Sequence, residues 1–527
     1  MSRTARGPRR WARVALVRLQ RYEPLQRLVR RLGAVAVHRL GSRLAALPGV
    51  EAVFARHTHP GSPDFVLGQS DLDLGIVLTE EAAGDAECVG ALADAVDRLQ
   101  ATHFYLQPQD ARFLTQGELR TVERLHGCRF EILGGSEDWT LVAGRDVRPG
   151  SSPAFPPWDV WRHPELHQIW RNNLQVEVIA PRQGLEGRNL RGPLRLAGRQ
   201  RERCLAALPH LVEEDLVLPS LLDGITRSGY WVDDPEPLRE RLLHAVLTYV
   251  HRFCRAVLAE PALRLEPGRL PSESERHENA WDALRTRLAE FPGLTDRLAG
   301  AIAYPMPFSR DEIYRLDMML PDDVSDEDFS SFLREYRRTL RHKSFRLGEN
   351  RFVSTVMLDG LARSALVQHV TMFPFFREHL QRYAVCLAGA EPEMLDGRAS
   401  AADRVAWCRS FMPYYLFTLG RRIEHSSAEL NFHQLASVRL FLETGEIETD
   451  ADRVRRRHRD RFEHGPDERI WEFLQRDRPG RSDRGAYRDA LGAFSRELGR
   501  VESLLGVAID QPASPSRPGS TPPIVAS

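Results

Sequence analysis

The sequence predicts an α/β (α+β) N-terminal domain followed by a large, mainly α-helical region. Three observations predict it. Leu72, Leu74, Ile76 and Leu78 alternate with Asp71, Asp73 and Gly75, so this stretch reads as a strand with one apolar face. Strand-like and helix-like segments alternate between residues 50 and 144, as they do where helices cover a sheet. From about Glu165 onward, apolar residues recur three and four apart, the spacing of helices with one buried face.

The elements follow in order. Residues 1–48 read as a basic arm and an N-terminal helix. Arg3, Arg6, Arg9, Arg10, Arg13, Arg18 and Arg21 occur with no acid among them over residues 1–22. That composition fits a solvated arm, with contact to nucleic acid or an acidic partner as the sharper alternative. Apolar positions from Leu25 to Leu47 fall at helical spacing, and Pro48-Gly49 ends the helix. Residues 49–150 form the α/β domain. Val50–Ala55 is its first strand, the segment around Asp73 its second, and His103–Leu106 its third. Helices run from Cys88 to Leu99 and from Leu119 to Leu125. Cys128–Leu133 reads as a further strand and Trp139–Gly144 as an exit segment.

Residues 151–235 read as a linker and a basic helical segment. Pro153, Pro156 and Pro157 mark the linker, and Arg188, Arg191, Arg195, Arg199, Arg201 and Arg203 the helix. Residues 236–508 read as helical domain(s), with helix-like stretches at 237–260, 276–290, 326–342, 352–371, 373–388, 401–420, 425–444 and 484–505. Residues 451–487, rich in Arg and Asp, read as a solvated helix pair and loop. Residues 509–527 are rich in Pro and Ser, the composition of a disordered tail.

Composition narrows the class. The 527 residues allow two to four domains with real cores. The formal charge of zero gives no global field to recruit nucleic acid. Six cysteines lie far apart with no Cys-x-x-Cys, so free thiols in a cytoplasmic protein are expected. No apolar run approaches the ~18 residues of a span, so no membrane partner is expected. Basic residues are arginine almost throughout, Lys343 being the single lysine. No Walker loop, Gly-x-Ser-x-Gly elbow or Gly-x-Gly-x-x-Gly fingerprint occurs.

The chemistry centres on Asp71 and Asp73. Two carboxylates side by side on one strand face repel each other. A divalent cation removes that penalty, and Mg²⁺ favours one or two carboxylates completed by substrate phosphates. The structural alternative is an exposed strand with two solvated aspartates. Upstream, Gly61-Ser62 forms a small-residue turn after the first strand.

Strand, Gly61-Ser62 turn, then Ser70-Asp71-Leu72-Asp73 resembles the DNA-polymerase-beta-like nucleotidyltransferases, which include aminoglycoside and protein adenylyltransferases. The likeness covers about residues 50–145. It implies a Mg²⁺-dependent transfer of a nucleoside monophosphate from an NTP, most plausibly ATP, to an acceptor. Two metal ions clamp the attacking and leaving oxygens in such sites. The resemblance assigns Asp71, Asp73 and Asp110 to metal, and Gly61, Ser62 and Ser70 to the nucleotide. For the third carboxylate Asp110, in Asp110-Ala111-Arg112, competes with Glu131, in Arg129-Phe130-Glu131. The acceptor is expected to be a small molecule or a protein hydroxyl. The alternatives are a degenerate nucleotide-binding module on a helical scaffold, and an RNA-end nucleotidyltransferase, nucleic acid being the less favoured acceptor.

Overall fold

A computed structural model describes residues 6–20, 22–56, 65–68, 70, 72–103, 105–106, 111–124, 139–148, 188–207, 217–228, 230–258, 265–267, 277–308, 313–340, 344–359, 375–389, 393–395, 405, 408, 428–462, 468–475 and 484–505. The chain divides into two compact units. Unit 1 comprises Met1–Phe155, Ser400–Glu448 and Asp452–Ser527, and unit 2 comprises Pro156–Ala399 and Thr449–Ala451.

Unit 1 opens with helix α1 (Arg6–Leu19) and helix α2 (Glu23–Ala45). The first corrects the expected arm: the arginine-rich segment is helical, and Val17 and Gln20 are buried. Helix α2 starts on Pro24 in its first turn, where a missing N–H costs nothing. It buries Val29, Gly33, Val37, Leu40 and Leu44 along one face. Strand β1 (Val50–Arg56) and strand β2 (Asp73–Leu78) then pair antiparallel. Helices α3 (Glu80–Gly84) and α4 (Ala86–Thr102) lead to strand β3 (Ala111–Thr115), which lies parallel to β2. The third strand is therefore not His103–Leu106; His103 caps α4 and Tyr105 and Leu106 turn.

Helix α5 (Gln116–Arg124) follows directly. Its start is a capping box: Thr115 N–H donates to Glu118 Oε2 at 2.7 Å and Glu118 N–H donates to Thr115 Oγ1 at 3.1 Å. Strand β4 (Thr140–Gly144) closes the sheet, whose order is β3-β2-β1-β4. The expected strand Cys128–Leu133 lies outside the described residues.

Unit 2 carries helices α6 (Arg191–Ala207), α7 (Val217–Ser228) and α8 (Glu236–Leu258), strand β5 (Leu265–Pro267), and helices α9 (Glu278–Ala289) and α10 (Pro292–Thr295). Strands β6 (Gly300–Pro305) and β7 (Ile313–Leu320), helix α11 (Asp326–Leu340), and strands β8 (Ser344–Leu347) and β9 (Asn350–Leu358) come next. Helix α12 (Phe376–Tyr383) and strands β10 (Val385–Gly389) and β11 (Glu393–Leu395) complete it. The stretch 236–508 read as helical domain(s) also holds strands. A five-stranded sheet of order β10-β6-β7-β9-β8 lies within it, and the stretch read as helix over 352–371 begins as strand β9.

One sheet face, with Tyr314, Leu316, Met318 and Leu320 of β7, belongs to the hydrophobic core shared with Val246, Phe253, Phe332 and Tyr336 of the helices. On the other face Arg315, Asp317, Tyr304 and Thr355 are all buried. Tyr304 donates its hydroxyl to Asp317 Oδ2 at 2.9 Å, Arg315 donates to Thr355 Oγ1 at 2.7 Å, and Arg315 Nε stands 3.5 Å from Asp317 Oδ1. Among the described residues of the two units Cys88, Cys386 and Cys408 are free thiols.

The chain returns to unit 1 with helices α13 (Ala428–Thr444), α14 (Ala451–Arg461), α15 (Glu468–Gln475) and α16 (Arg484–Leu504). These are not a solvated pair and loop over 451–487, since Val454, His458, Trp471 and Phe473 are buried. Glu497 ties them together, accepting from Arg439 at 2.5 Å and from the buried His458 at 3.1 Å. Glu443 accepts from Arg439 and Arg500. Burial pushes the Glu443 carboxyl up, but the two guanidiniums outweigh it and hold it below its ordinary value. No helix among the described residues is long and apolar enough to cross a membrane.

The buried His379 of α12 sets an acid limit on unit 2. Its Nε2–H donates to Pro305 O at 2.8 Å, and Thr449 donates its hydroxyl to Nδ1 at 2.9 Å. Burial lowers its pKa from 6.5 to about 4. The folded state therefore holds the neutral ring where the unfolded chain takes up a proton. Stability falls as pH drops from about 6.5 to about 4, by roughly 3 kcal/mol in all. Urea midpoints measured at pH 7 and pH 4.5 are expected to show this loss, and His379→Gln to remove this component.

Candidate functional site

Of the expected site residues the structure describes Ser70 and Asp73, both at the end of the four-stranded sheet where β2 begins. Asp73 opens β2 and is partly buried. Across the sheet it pairs with Arg56, the last residue of β1. On its other side Leu74 pairs with Ala111, the first residue of β3. Paired positions share a face, so Arg56 and Phe54 of β1 and Arg112 of β3 lie on the face of Asp73 and Gly75. Arg56 is fully buried and Arg112 nearly so. Sequence reasoning ends the first strand at Ala55 and misses Arg56, because only strand register sets it opposite Asp73.

Trp139 backs this face. A Cβ at Gly75 would stand 2.7 Å from Trp139 Cζ3, so only glycine fits beneath the indole. Phe54 and Trp139 rings lie 5.8 Å apart. Arg148 donates to Trp139 O at 2.8 Å and is anchored on Asp146. The hydrogen bond from Arg148 holds the Asp146 carboxyl below its ordinary value.

The turn before β2 is built as carefully. Val66 N–H donates to Ser70 Oγ at 3.0 Å, and Ser70 N–H donates to Val66 O at 2.8 Å. The acceptor side of the Ser70 hydroxyl is thus engaged inside the turn. Gly68 takes a φ of +87°, a conformation strained for any other residue, and its N–H donates to Tyr105 O at 2.9 Å. Helix α1 grips the same turn. Gln20 donates to Leu67 O at 2.9 Å and accepts from Leu67 N–H at 3.0 Å, while Arg13 Nε donates to Gly68 O at 2.9 Å. The helix read as a loose arm holds the approach to the Asp71-x-Asp73 segment. The one available signal is Gln20 itself, a lone amide closing a run of arginines and apolar residues.

Of the other expected site residues, Gly61, Ser62, Asp71, Asp110 and Glu131 lie outside the described residues. No group of three or more His, Cys, Asp or Glu side chains able to hold a metal occurs among the described residues. In unit 2, members of two arginine-rich runs, 188–203 and 337–346, have internal partners. Arg188 pairs with Asp233 and Arg191 stacks on Tyr230 at 4.3 Å. Arg337 pairs with the buried Glu240 at 2.8 Å and Arg338 with Glu335 at 2.9 Å.

No family model, no curated protein and no solved structure matches the chain.

The grip of α1 on the turn has a measurable consequence. Gln20→Ala removes both partners of the Leu67 backbone and leaves buried polar groups unsatisfied, a cost of about 1–3 kcal/mol. Chemical denaturation should show that loss. Hydrogen exchange should show the Leu67 amide deprotected in the variant, ahead of the β1 and β2 amides.

Proposed function

We propose that unit 1 is a Mg²⁺-dependent nucleotidyltransferase, moving a nucleoside monophosphate from an NTP, ATP before the others, to a small-molecule or protein hydroxyl. The observation that carries this reading is the parallel register of β2 and β3. Leu74 and Ala111 pair, and each follows an aspartate of the expected trio, Asp73 and Asp110. In the reaction the acceptor oxygen bonds to the α-phosphorus, the bond to the β-phosphate oxygen breaks, and pyrophosphate leaves. The acceptor proton passes to a carboxylate, for which Asp110 stands ahead of Glu131.

The donors fit the metal. Asp73 is a partly buried carboxylate at a strand start, and hard oxygen ligands of this kind suit Mg²⁺. Asp71, Asp73 and the third carboxylate would hold it, and the ion would supply charge neutralisation at the attacking and leaving oxygens. Arg56 and Arg112 share Asp73's face and would offer the phosphates fixed positive charge without reorganisation. The tight seat of Gly75 under Trp139 keeps that face rigid.

The same buried guanidiniums favour a second reading, in which Asp73 is only their structural counter-charge and unit 1 is a non-catalytic module. The two readings separate in a thermal-shift screen of the four NTPs with and without Mg²⁺. The enzyme reading expects stabilisation that needs the ion, about 2.7 kcal/mol at a hundredfold excess over Kd. Asp73→Asn is expected to abolish that stabilisation, and Asp110→Asn to lower transfer more than Glu131→Gln does. Stabilisation without Mg²⁺, or a wild-type protein that no NTP stabilises while Asp73→Asn melts well below it, favours the structural role.

A further inference from the structure

Charge and apolar surface are concentrated in the first two helices. Residues 1–45 hold twelve arginines and one acid, Glu23, while the whole chain balances 73 basic against 73 acidic residues. Among the described residues, seven of the nine exposed large hydrophobics also lie in α1, α2 and the link between them. Trp11, Leu19 and Tyr22 are 71%, 43% and 66% exposed. Trp11, the exposed Ala15 and Leu19 stand four residues apart, one stripe of α1, and Tyr22 lies in the link that follows. Leu25, Leu28, Leu32 and Val35 make a second stripe on α2, three and four residues apart and all exposed. The buried side of α2 runs through Val29, Val37, Leu40 and Leu44. Arg18, Arg27, Arg31 and Arg39 are exposed on the same two helices.

We propose that α1 and α2 form a docking surface for an anionic lipid bilayer. Leucine and tryptophan stripes bordered by arginines suit the boundary between headgroups and acyl chains. Trp and Tyr rings favour the headgroup level, and clustered arginines are drawn to anionic lipid within a Debye length of its surface. That no helix among the described residues is long and apolar enough to cross a membrane bears on spanning it and leaves lying on it untouched. Other occupants use less of what is exposed. Nucleic acid would meet the arginines and stack on Trp11 and Tyr22, but would leave Leu28, Leu32 and Val35 in water. A second copy would bring two arginine-rich helices of like charge together.

Flotation of the full-length protein with vesicles tests this, using phosphatidylcholine alone and phosphatidylcholine mixed with phosphatidylserine. Binding is expected only to the mixed vesicles and is expected to weaken with salt. Leu28→Gln/Leu32→Gln should weaken it about tenfold or more, with an unchanged urea midpoint because both side chains are exposed. Arg18→Gln/Arg31→Gln should weaken it as well. If the leucine variant melts early, Trp11→Ala on α1 gives the same reading. Absence of flotation, equal binding to neutral vesicles, or wild-type binding by both apolar variants overturns the proposal. Retention of a mixed RNA pool on filters without vesicle binding overturns it in favour of nucleic acid.

Discussion

Everything at the candidate site depends on one pairing, the parallel alignment of β2 with β3. Parallel neighbours cannot be joined by a tight turn, because the chain must travel back along the sheet before it can pair again. Helices α3 and α4 make that return. The result is that β2 and β3 begin at the same end of the sheet. Strand β1, antiparallel to β2, finishes there, with Arg56 opposite Asp73. A strand end and two strand starts converge, and the charged side chains are found where they do. A hairpin in place of the crossover would have sent the start of β3 to the far end of the sheet.

The second sheet repeats the device, with β7 and β9 parallel and α11 between them, yet it handles buried polarity differently. On its polar face Asp317 is met by Tyr304 and Arg315, and Arg315 by Thr355. A buried ion pair is tolerable when further hydrogen bonds take up its remaining polar atoms. Such a set fixes strand register more than it adds stability, since slipping by one residue would expose each charge to an apolar neighbour.

An apolar run marked β1 and the alternation of Asp71 and Asp73 with leucines marked β2, although both strands are buried almost throughout, and periodicity marked α2 and α4, each with one wet side and one dry one. It failed where both sides are dry. All five residues of β3 are buried, so Ala111–Thr115 shows no alternation, and the third strand was sought too early at His103–Leu106. Strands β6, β7 and the second half of β9 are likewise buried on both faces, as sheets covered on both sides are. Asp73 could be named from its own segment. Arg56 could not, because its relation to Asp73 exists only through register. The helicity of α1 also escaped the sequence, since Gln20 and Arg13 bond to residues some fifty positions away.

Unit 1 is discontinuous along the chain. Helix α16, which begins at Arg484, packs against α4, which ends at Thr102. During vectorial synthesis the whole of the segment Pro156–Ala399 leaves the ribosome before α13–α16 exist. The inserted unit can therefore compact first. Loop-closure entropy rises only slowly with length, so the detour is tolerable at equilibrium. Contacts of such long sequence separation are nonetheless the slow ones to form. Until the last helix arrives, the part of α4 that it covers stays open to solvent.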